Sequence, residues 1–147
     1  MPKAINREQK DSFKNSGICV RLNQNTSGYS LRQIMAFAAN DPLSIYRILE
    51  SFAESTSKNL ALFRNYLNDR NYQPLPELAH KMIAMFRQLE AFQVVTLLTK
   101  IEGSANDKLT GKEWDDLGRE FLNKAEKFIG VFCEEQSISA VPLNRNP

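Results

Sequence analysis

The sequence predicts an all-α protein: an antiparallel four-helix bundle with a short additional N-terminal helix. Three observations carry that expectation. From Ser30 onward, apolar residues recur at helical spacing in one-sided stripes. Helix-start signals stand in front of several of these stripes. The breaks between stripes are short and polar, and short connections make consecutive helices antiparallel neighbours. Ile18, Val20 and Leu22 alternate and suggest one short strand at most.

The elements follow in order. Residues 1–28 are polar and aperiodic and read as a tail or linker. Ser30 with Gln33 suggests a capping box that opens a short helix bearing Leu31, Ile34, Met35 and Ala38 on one side. Asp41 is the expected N-cap of the next helix, with Pro42 at its first position. Ile45, Ile48, Leu49, Phe52, Thr56, Leu60, Phe63 and Leu67 carry that helix to about Asp69. Asn71 to Pro74 is a break, and Pro76 suits the first turn of the helix that follows. Val94, Leu97, Leu98 and Ile101 mark another helix, with Gly103 as its expected C′ residue. Thr110 and Glu113 form a second capping-box pattern, and Trp114, Leu117, Phe121, Ala125, Phe128 and Phe132 extend the last stripe to about Glu135. The bundle is expected over 29–138. The last dozen residues read as frayed, with 139–147 as a flexible tail.

Composition bounds the function. A chain of 147 residues with 42% hydrophobic and 24% charged residues fits one globular domain. A net charge of +2 gives no argument for nucleic acid or an anionic membrane. The excess is local to residues 1–22, where Lys3, Arg7, Lys10, Lys14 and Arg21 face only Glu8 and Asp11. No stretch approaches the roughly 18 apolar residues of a membrane span, and the N-terminus lacks the apolar segment of a secretory signal. Cys19 and Cys133 are far apart without CxxC spacing, which suits a reduced, cytoplasmic setting and a packing role for Cys133.

The only histidine lies in "ELAHKMIAMFRQLE", residues 77–90. At about 100° per residue, Leu75, Leu78, Met82, Met85, Phe86 and Leu89 cluster near 190° from His80. His80 is therefore expected in solvent, near Pro76, Glu77, Ile83, Ala84 and Arg87. Ala84 leaves a low surface one turn on, and Ile83 places an apolar group where a polar one is expected, a pattern that suggests a docking surface. An exposed imidazole flanked by Lys81 and Arg87 suits nucleophilic phosphoryl transfer, the cations steadying the phosphoryl oxygens. A plain solvated histidine remains the alternative. No second histidine or paired cysteine supports zinc, and no nucleophile elbow or phosphate-binding loop is present.

The stretch "ELAHKMIAMFRQLEAFQVVTLLTKIE" resembles the active helix and return helix of histidine-containing phosphotransfer (HPt) domains. Ala79-His80-Lys81-Met82 matches the start of the motif, Ala91 the small residue at the turn, and Leu97-Leu98 with Glu102 its end. "NDPLSIYRILESFAESTSKNLALFRNYL" is similar to the family's preceding long helix, so the likeness runs from about residue 30 to 135. The resemblance implies that His80 accepts a phosphoryl group from a receiver aspartate and passes it to another receiver. Response-regulator receiver domains would be the partners, with a sensor histidine kinase conceivable in the same polypeptide. The chain itself would need no cofactor, Mg²⁺ belonging to the receiver. One departure stands out: the family's lysine three positions after the histidine is Ile83 here, and its glycine at the fourth is Ala84. Arg87 is the expected substitute cation. The rival readings are a degenerate module that docks a receiver without transfer, and a purely structural bundle. An enzyme with its own pocket is disfavoured by a core dense in Phe and Leu.

Overall fold

In the computed structural model, residues 26–139 are described. The expected strand around Ile18–Leu22, Cys19 and nearly all of the basic N-terminal segment lie outside them. Five α-helices follow one another: α1 (Arg32–Phe37), α2 (Pro42–Asn68), α3 (Leu75–Gln88), α4 (Phe92–Gly103) and α5 (Gly111–Glu135), with a 3-10 turn at Ser104–Asn106. The described residues contain no strand.

Helices α2 to α5 close into a ring. Each packs against its neighbour in sequence, and α5 returns to α2. The aromatic pairs show the direction of packing. Phe52 meets Phe132, Phe63 meets Phe121, and Tyr72, just beyond α2, stacks on Trp114 at an interplanar angle of 8°. Rising numbers along α2 meet falling numbers along α5, so the two are antiparallel. The pairs also divide the core into levels. Tyr29, Phe52, Phe86, Phe128 and Phe132 form a cluster of edge-on, tilted and stacked rings at one end, with centroids 5.1–6.4 Å apart. Such ring pairs add about 1 kcal/mol each to the burial of their surfaces.

Local chemistry explains most of the boundaries. Asp41 caps α2, its carboxylate accepting from the Ser44 N–H at 3.1 Å, with Pro42 next in line. Thr110 and Glu113 form the expected capping box of α5, at 2.8 and 3.1 Å. The proposed box at Ser30 does not form: Leu31 is the N-cap of α1, and the Gln33 amide reaches Glu90 instead. Gly103 is no left-handed C′ residue either. Its φ of −68° is helical, and the chain runs on into the 3-10 turn.

Helix α1 covers the end of the bundle at the α3–α4 turn. The Ser30 N–H donates to the Leu89 carbonyl at 2.7 Å, and Arg32 pairs with Glu90 at 2.6 Å. The C-terminal segment closes the same end. Gln136 and Ile138 are buried rather than frayed, and the Gln136 amide donates to the Tyr29 hydroxyl at 3.0 Å. Cys133 packs in the core as expected, and burial pushes its thiol up from the ordinary value.

Candidate functional site

The α3–α4 hairpin builds the site. Its turn is tight because α3 ends in a Schellman motif: the Ala91 N–H donates to the Phe86 carbonyl and the Glu90 N–H to Arg87. Glu90 occupies the left-handed position at φ 55°, and Ala91 is small enough to be buried as the chain reverses. Two antiparallel helices leave such a turn in register, so residues equally far from it lie at one level. His80 is eleven positions before Ala91 and Glu102 eleven after.

They meet there. His80 Nδ1 lies 2.5 Å from Glu102 Oε2, with the histidine side chain 71% exposed. A carboxylate only accepts, so Nδ1 carries the proton. The neutral ring then keeps its lone pair on Nε2. Among the described residues no group of three or more His, Cys, Asp or Glu side chains is placed to hold a metal ion.

An open groove of ≈ 640 Å³ runs beside the imidazole. Helix α3 lends Pro76, Glu77 and His80; α4 lends Glu102; Ser104, Ala105 and Asp107 form the far wall. The Tyr72–Trp114 stack lies at its end remote from α1. Partial desolvation, then a hydrogen bond to Asp115 at 3.0 Å, push the Tyr72 phenol up.

The residues expected at the site divide. Pro76 and Glu77 line the groove with His80, and Ala84 is exposed on the same helix face. Ile83 is not part of a docking surface: it is 5% exposed and belongs to the core. The buried arc of α3 includes Ala79 and Ile83, so by the 100° rule it centres near 230° rather than 190° from His80. The bias follows from packing on two helices, for the flank reaching Glu102 is also the flank that carries Ile83. Lys81 is on the other flank. It borders a separate groove of ≈ 300 Å³ between α2 and α3, with Ser51, Ser55 and Met85. Arg87 is exposed two turns beyond His80 and does not line the His80 groove. Sequence reasoning placed Glu102 in a motif without giving it a role. Its distance from the turn was the signal that could have paired it with His80.

No helix among the described residues is long and apolar enough to cross a membrane. Comparisons of the chain with family models, with curated proteins and with solved structures found no match in any of the three.

Proposed function

We propose that this chain is a cytoplasmic phosphorelay carrier, an HPt-like domain that works on no substrate pocket of its own. One observation carries the reading: an exposed imidazole whose Nδ1 is held by Glu102, leaving Nε2 open to a visitor. In the proposed step the Nε2 lone pair attacks the phosphorus of a receiver's aspartyl phosphate in line. The acyl-phosphate P–O bond breaks, the N–P bond forms, and the aspartate leaves as carboxylate. The ring becomes cationic with its Nδ1–H in place, and Glu102 faces that charge. Running the step backwards hands the group to a second receiver, whose bound Mg²⁺ neutralises the phosphoryl oxygens. The bundle supplies position and access, the share of catalysis that comes from holding reactants in line.

A second reading, the degenerate module that binds a receiver without transfer, is favoured by the missing cation. Position 83 holds a buried isoleucine and Lys81 faces another groove. Incubation with a ³²P-labelled receiver separates the two. Acid-labile, base-stable label on the wild type that disappears in His80→Gln supports the carrier. Stable binding with no label on either supports the module.

A further inference from the structure

The charges around His80 all have one sign. The groove's charged lining residues other than the imidazole are Glu77, Glu102 and Asp107, and no lysine or arginine is among them. Glu102 is engaged by the histidine, whereas neither Glu77 nor Asp107 is paired in an ion pair among the described residues. Glu77 is three residues before His80, one helical turn away, where side chains on neighbouring turns sit about 5–6 Å apart at Cβ. Asp107 faces it from the opposite wall, after the 3-10 turn. Lys100 and Lys108 are exposed next to lining residues in sequence but do not line the groove. A phosphoryl group approaching Nε2 therefore passes two unneutralised carboxylates.

We propose that Glu77 and Asp107 are specificity residues that turn away free anionic phosphodonors from His80 and admit a donor bringing its own positive charge. The inference rests on the carrier reading and adds to it which donors the site accepts. A small dianion such as a phosphoramidate or acyl phosphate is repelled by both carboxylates as it nears the ring. A protein donor whose phosphoryl oxygens are already covered by a divalent cation or a lysine meets attraction instead. The carboxylates thus keep the relay closed to metabolite phosphodonors without obstructing the nucleophile.

The probe is phosphoramidate. In that reaction the Nε2 lone pair attacks phosphorus, the P–N bond breaks, neutral ammonia leaves, and the ring keeps its Nδ1 proton. The initial rate of label appearing on His80 is compared in the wild type, Glu77→Gln, Asp107→Asn and the double variant, with His80→Gln as the blank. Each neutralisation is expected to raise the rate about fivefold at low ionic strength, and the double variant more, the gain shrinking as salt screens the charges. Added salt should also speed the wild type towards the double variant. Circular dichroism confirms that each exposed substitution leaves the bundle folded. Equal rates on His80 in all forms, with no salt dependence, would overturn the selectivity and leave the carrier reading standing. No label on His80 in any form, the double variant included, together with none from a labelled receiver, would remove the carrier reading itself.

Discussion

Glu102 is the side chain whose loss the imidazole should feel first. If it fixes the tautomer and later faces the phosphorylated ring, Glu102→Ala lowers the initial rate of His80 labelling by a labelled receiver about tenfold or more, the worth of a hydrogen bond to a charged group. Glu102→Gln, whose amide oxygen still accepts, should fall between the two. A comparable rate in all three would show that Nδ1 needs no holder. Position 83 allows a second residue-scale test. Restoring the family's lysine with Ile83→Lys replaces a core side chain, and should cost about 2 kcal/mol in urea unfolding rather than improve transfer. At this scale the sequence revealed that His80 is exposed, because one helix wheel suffices for that. It left the neighbours of His80 unresolved. The wheel gives angles around α3 alone, while the placing of Ile83 and Lys81 depends on which flank meets α4 and which meets α2.

Helix starts were easier to read than helix ends. Asp41 and Thr110 cap through side chains whose chemistry is visible in the letters. The ends of α1, α2, α3 and the segment after α5 use backbone bonds instead. Ala39, Arg70, Glu90 and Ser137 stand in the left-handed region at φ 53–57° where glycine is the ordinary choice, so no glycine announced them. Arg70 is exposed at φ 57°. Arg70→Gly removes that backbone cost and is expected to raise stability by about 1 kcal/mol, read as a higher urea midpoint at unchanged slope. The clasp around Tyr29 makes an element-scale prediction about pH. Burial raises the Glu135 carboxyl, but hydrogen bonds from the Ser27 hydroxyl, the Tyr29 hydroxyl and the Ser27 N–H outweigh it, and the net direction is down from the ordinary 4.5. A lowered folded-state value means stability present above pH 4.5 and lost as pH falls through it. Tyr29 moves the other way. Burial raises its phenol from the ordinary 10.0, so its contribution is complete below pH 10 and fades above it. Thermal midpoints should therefore drop at both extremes, and the acid arm should shrink in Glu135→Gln.

The whole molecule depends on close approach between α2 and α5. A Cβ built on Gly118 would stand 2.7 Å from Leu67 Cδ1 and 3.0 Å from Cδ2, so neither methyl can turn aside for it. Leu67 is itself fully buried. Gly118→Val should destabilise by about 2 kcal/mol through overpacking, against a smaller gain in helix propensity. Phe86, wholly buried and in ring contact with both Phe52 and Phe128, should cost about 3–5 kcal/mol as Phe86→Ala. The bundle was legible at this scale because four stripes and short loops leave one economical arrangement. The groove was not, since it is formed by the 3-10 turn, two loops and three helices that periodicity does not bring together. The aromatic stack at the groove contains the chain's only tryptophan. Its emission therefore watches a single pole of the molecule. Anything that settles against the imidazole should change its colour or intensity, while the clasp around Tyr29 can slacken in acid without altering it, so a single fluorescence trace tells a visitor at one pole from melting at the other.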